Sequence, residues 1–172
     1  MTKYLKTAYP FGVLGGILRG LSFYVLSIFN PDPTNLSLVF GYVITPFAVY
    51  LAIKFYKEFA NEGFLSFAEG MTIGAVTYLI LALLSALTIW GILESSPSLF
   101  EAIQTAKWAV LEQNKEVIIG QVGQESFLLT QANLKGMSPW DVAFNDGIWK
   151  IIPGMFFSIL ISIILRKNKL TS

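Results

Sequence analysis

With no cysteine and no histidine, this chain has few side chains that can do chemistry: carboxylates, Lys, Arg, Tyr and the hydroxyls of Ser and Thr. Disulfides, thiolate nucleophiles, iron–sulfur clusters and haem held by His or Cys are excluded. Zinc sites built on those ligands are excluded too, and a Ser-His-Asp triad cannot be assembled. Most of the carboxylates fall in residues 94–147. They are scattered there with no metal-loop spacing and read as a solvated face. No residue is assigned a catalytic, cofactor-binding or metal-ligating role.

Arg19 and Glu69 stand apart. Arg19 interrupts an apolar segment running from Ala8 to Phe29. It lies about ten residues in, near a bilayer's centre at 1.5 Å per residue. An Arg there costs roughly 2.5–3.5 kcal/mol on insertion scales. No Asp or Glu is expected mid-span, so the candidate acceptors are Thr45, Thr77, Tyr78, Ser85, Ser158 and carbonyls freed near a proline. Arg19 then reads either as an anion or head-group contact inside a bundle, or as a structural or snorkelling Arg, the second being favoured. Ser66-x-x-Glu69 matches a capping box, in which Ser66 accepts from the Glu69 N–H and Glu69 reaches back. The rival reading makes Glu69 a proton or cation ligand at the bundle mouth.

The elements that would position these residues are membrane helices. The chain has 172 residues, 54% hydrophobic and 13% charged, with mean hydropathy +0.61. Soluble domains carry about 25% charged residues. Gly63–Leu93 runs for more than twenty residues past Glu69 without an ionisable side chain, which matches the thickness of a hydrocarbon core. Spans are expected at about 8–29, 36–55, 70–93 and 148–165. The cationic, apolar start is read as a retained span rather than a secretory signal, because Arg19 interrupts it and no A-x-A-like site follows.

Gly12, Gly16 and Gly20 repeat every fourth residue in the first span, and Gly70 and Gly74 do so in the third. Such spacing places small residues on one helix face for close packing, within the chain or against a second copy. The third span is expected to be the central helix, its small face met by the glycines of the first. Asn30-Pro31-Asp32-Pro33 ends the first span sharply. Pro46 should kink the second span and free the carbonyl of Tyr42. Pro153-Gly154 lies near the start of the fourth, and Pro153 should kink it as Pro46 does the second.

Residues 94–147 are polar. Ser96-Pro97 starts one helix, Gly120 and Gly123 break the pattern, and a second helix covers about Glu125–Leu134. Ser138-Pro139-Trp140-Asp141 is another capping box, leading into the last span. The fold expected is an all-α integral membrane protein, four transmembrane helices with an extramembrane helical hairpin between helices 3 and 4. Lys3, Lys6, Lys54, Lys57, Arg166, Lys167 and Lys169 gather at the termini and the second connection, while the first loop has no basic residue. By the positive-inside rule both termini are cytoplasmic and 94–147 lies outside, in a bacterial inner membrane. Net charge is +1, so no basic field for nucleic acid exists.

At Lys54, Tyr56, Gly63, Phe64, Leu65, Ser66 and Phe67 the chain resembles a bacterial membrane family known as domain of unknown function 4199. The resemblance continues at Pro153-Gly154, Ser158 and the basic Arg166-Lys167 end, and Arg19 is not part of the pattern. It implies a four-helix membrane protein with no assigned activity. The function expected is non-enzymatic: an accessory or assembly subunit of an envelope complex. Its partners would be the lipid bilayer and itself or another membrane protein, with no cofactor. The alternatives are a small oligomeric transporter or channel and, behind it, a membrane enzyme acting on lipid-linked substrates.

Overall fold

The computed structural model describes residues 2–168; Lys169 lies outside the described residues. Seven α-helices follow one another: α1 (Thr2–Phe29), α2 (Thr34–Phe55), α3 (Phe67–Ser95), α4 (Pro97–Gln113), α5 (Lys115–Val122), α6 (Gln124–Lys135) and α7 (Pro139–Leu165). A π-helical turn, Tyr56–Ala60, extends α2. Among the described residues there is no strand. α1, α2 with its π-turn, α3 and α7 are each long and apolar enough to cross a membrane, so the chain has an all-α membrane fold.

Local chemistry sets the ends of these helices. Between α1 and α2, two prolines withhold N–H groups while Asn30 Oδ1 accepts from the Asp32 N–H at 3.1 Å and Asp32 Oδ1 from the Thr34 N–H at 3.0 Å. α3 opens on the Ser66–Glu69 box. Ser66 Oγ accepts from the Glu69 N–H at 3.2 Å, and the Ser66 N–H donates to Glu69 Oε2 at 2.9 Å. Tyr56 donates its hydroxyl to Glu69 Oε1 at 2.9 Å. Both oxygens of Glu69 are thus engaged in closing this corner.

The last spanning helix begins at Pro139, well before Ile148. The Ser138–Asp141 box starts it there, and nothing interrupts it before the apolar run. The connection between α3 and α7 is three helices rather than a two-helix hairpin. Gly120 sits inside α5, and the break falls at Gly123, whose φ of +86° suits only a residue without Cβ. The helices continue through Pro10, Pro46 and Pro153.

The termini and the α2–α3 connection share one end of the bundle, where the Leu65 and Lys167 main chains exchange two 2.9 Å hydrogen bonds. The 30–33 loop and α4–α6 share the other, here termed the insertion end. α1 packs on α2 and α3, and α7 packs on the same two helices, so α1 and α7 face each other across the bundle. Gly12, Gly16 and Gly20 are pressed against α3. A Cβ at Gly12 would lie 2.8 Å from Ile80 Cβ, and one at Gly16 2.7 Å from Leu84 Cβ. The glycines of α3 do not meet them. Gly70 and Gly74 turn the other way, to Ser162 and Ser158 of α7. The single small-to-small seam expected between the first and third spans is therefore two seams on two sides of α3, both within one chain.

Candidate functional site

Inside this bundle lies a cluster of charge that no spacing rule announced. Arg19 is fully buried, Lys150 is 1% exposed and Asp146 is 8% exposed. Arg19 Nη2 donates to Asp146 Oδ1 at 2.7 Å. Its Nη1 donates to the Ser37 carbonyl and, at 2.9 Å, to Ser37 Oγ. One turn along α7 from Asp146, the Lys150 ammonium contacts Asp146 Oδ2, donates to the Asp146 carbonyl at 3.1 Å and donates to Ser85 Oγ at 3.0 Å. Ser85 in turn donates to Asp146 Oδ2 at 3.3 Å.

Each spanning helix contributes: Arg19 from α1, Ser37 from α2, Ser85 from α3, and Asp146 and Lys150 from α7. The ion pair crosses the centre of the bundle between α1 and α7, which lie diagonally opposite each other. Small residues make room for it. The Arg19 guanidinium lies against the bare backbone of Gly41, where a Cβ would sit 3.1 Å from Nε. That Nε is buried and unpartnered.

Arg19 therefore has a carboxylate partner inside the bundle, against the expectation that none would be found. The expectation failed because Asp146 looked like loop while the last span was placed at Ile148. Thr45, Thr77, Tyr78, Ser85 and Ser158 do not take the guanidinium. Thr77 and Ser158 hydroxyls donate to carbonyls one turn back in their own helices, and Ser85 stands one bond away behind Asp146. Ser37, Asp146 and Lys150 were missed. One signal could have found two of them. If the Ser138 box begins a continuous helix, Asp146 and Lys150 fall on one face at i and i+4. Asp146 then lies about 10 Å along that helix at 1.5 Å per residue, about one turn short of Arg19's depth of about 15 Å counted back from Phe29.

Above the cluster, toward the insertion end, is a cavity of about 610 Å³ lined by residues of α1, α2, α4, α6 and α7. Asp146 forms part of its lining, and Lys107 and Asp141 also border it. Lys107 pairs with Asp32 at 3.2 Å and donates to Thr34 Oγ1 at 2.9 Å, which pins α4 to the α1–α2 loop. Beyond the cavity, α4–α6 stand outside the four spans. α5 buries none of its side chains.

The profile of a family described as a protein of unknown function, DUF4199, matches residues 10–167. The chain belongs to the DUF4199 family. That match takes in every residue of the charged cluster and of the cavity lining. No curated protein and no solved structure matches the chain. Any role for this DUF4199 chain has to be argued from its own geometry.

Proposed function

We propose that this DUF4199 chain is a non-enzymatic module of a bacterial inner membrane, an accessory or assembly subunit of an envelope complex. In this reading the termini are cytoplasmic and α4–α6 lies on the far side. The observation that carries it is the uncovered apolar surface of the insertion. Val110, Val117, Val122, Leu128 and Leu129 are each more than half exposed, at 54–59%, outside the helices that face lipid. These side chains, spread over α4, α5 and α6, are what a protein partner at this end could cover. The pairing of Arg19, Asp146 and Lys150 with one another supports the non-enzymatic part, because each group is held by its neighbours rather than left free to attack a substrate. Lys3, Lys6, Lys54, Lys57, Arg166 and Lys167 at one end support the orientation. Purification in mild detergent tests the module. The wild-type chain should retain the same envelope protein, or a second copy of itself, in fixed stoichiometry, and Val117→Glu/Leu128→Glu should release it. A chain that repeatedly comes out alone overturns the reading.

Asp146 favours a second reading, a small oligomeric transporter or channel. It puts an ionisable carboxylate inside a span and beside an open cavity, and such residues mark solute and ion paths. Arg19, Pro46, Thr77 and Ser85 would line the path. Reconstituted liposomes should then show a solute or ion flux that Arg19→Leu reduces at least tenfold. Equal flux in both removes this reading.

A further inference from the structure

The cavity under the insertion offers two kinds of charge on two walls. Lys107 on α4 has three ammonium hydrogens and directs two to Asp32 and Thr34, leaving one. On α7, Asp141 ties only Oδ2 into its capping box. Asp146 borders the same wall, but its charge is already shared by Arg19 and Lys150. Asn35 and Asn133 border the same space and make no side-chain hydrogen bond to another described residue. The remaining wall includes Phe23, Leu38, Met137 and Val142. The volume lies in the usual range for a small-molecule site, about 300–1,000 Å³.

This polarity selects a ligand class. A simple anion meets Asp141, and a simple cation meets Lys107. A neutral sugar uses neither charge and leaves the apolar wall uncovered. A zwitterion carrying an ammonium and a phosphate satisfies both walls, the ammonium at Asp141 and the phosphate at Lys107 and the amides. We propose that the cavity binds a phosphoethanolamine group. The cavity sits where α1, α2 and α7 reach the insertion end of a membrane bundle, and its wall is largely apolar. The source these features favour is the head of an aminophospholipid, with glycerol and the first acyl carbons against Phe23 and Leu38.

The test uses the full chain, delipidated in detergent. Phosphatidylethanolamine, phosphatidylcholine and phosphatidylglycerol are titrated in mixed micelles, and water-soluble glycerophosphoethanolamine is titrated separately. Thermal stability and native mass spectrometry are the readouts. Phosphatidylethanolamine should raise the melting temperature saturably and stay bound one per chain, while the other two lipids do neither. Stabilisation by glycerophosphoethanolamine alone also upholds the site and makes its ligand a soluble zwitterion. Asn133→Trp fills the cavity without removing a hydrogen bond, and should weaken binding at least tenfold. Lys107→Gln should lower affinity for phosphatidylethanolamine by a similar factor, and it serves where the tryptophan variant does not fold. An equal response to all three lipids overturns the proposal, as does full binding by a folded Asn133→Trp or Lys107→Gln chain.

Discussion

Asp146→Leu should be the most damaging single substitution in the bundle, costing about 3–5 kcal/mol. That is the range for removing one partner of a buried ion pair, because the cost is mostly the charge left behind. Here the exposure is double. Arg19 and Lys150 share this one carboxylate, and both are buried beside it. Without it the guanidinium keeps only Ser37, and the ammonium keeps Ser85 and a carbonyl. The helices that carry these groups face each other across the bundle, so the loss falls on the contact that closes it. Unfolding in detergent, by heat or denaturant, should show the drop directly.

The same physics predicts a rescue. Replacing a whole buried charge network by apolar residues is often neutral or favourable, since desolvation then disappears along with attraction. Arg19→Leu/Asp146→Leu/Lys150→Leu should recover most of the stability lost in Asp146→Leu. A single Asp146→Leu chain that melts with the wild type would falsify the clamp. A triple variant as unstable as the single one would mean that packing volume, not charge, is what the site supplies.

How far the sequence disclosed all this differs from feature to feature. The four spans were legible because an uncharged apolar run of bilayer length is seldom anything but a membrane helix. The Ser66 and Ser138 boxes were legible because capping is local, with donor and acceptor three residues apart. The Arg19–Asp146 pair was not, since it joins residues 127 apart through the relative rotation of two helices that lie diagonally across the bundle. Asp146 also sits among the polar residues of a loop-like segment, and only the continuity of α7 from Pro139 puts it in the bundle. The glycines show the same limit from another side. G-x-x-x-G states that a face is small, and Gly70 and Gly74 do pack closely, but spacing within one helix does not say which neighbour the face meets. The apolar residues of α5 lie on the same boundary. Sequence shows that they are apolar, and the fold alone leaves them uncovered.

Gly74→Leu should disrupt the α3–α7 seam, with Leu81→Ile as its mild counterpart. A Cβ on Gly74 would lie 2.7 Å from Ser158 Cβ and 3.4 Å from Val49 Cγ1, before the rest of a leucine is added. Ser158 cannot swing aside freely, because its hydroxyl donates to the Gly154 carbonyl at 2.7 Å. Gly154 is itself pressed onto Tyr78, where a Cβ would fall 2.6 Å from the ring. Glycine on each helix thus receives a side chain of the other, and a leucine can enter only by pushing α3 and α7 apart. Overpacking a close-fitted core costs about 1–3 kcal/mol, occasionally more, and displacement along this seam would also stretch the Ser85–Lys150 bond of the charged cluster. Leu81 is fully buried too, yet Leu→Ile conserves volume and should cost less than about 1.5 kcal/mol. Ser158→Gly in the Gly74→Ala background should restore stability, since it removes the atoms that the new methyl meets. If Gly74→Leu melts in detergent at the wild-type temperature, α3 is not the helix on which the bundle closes.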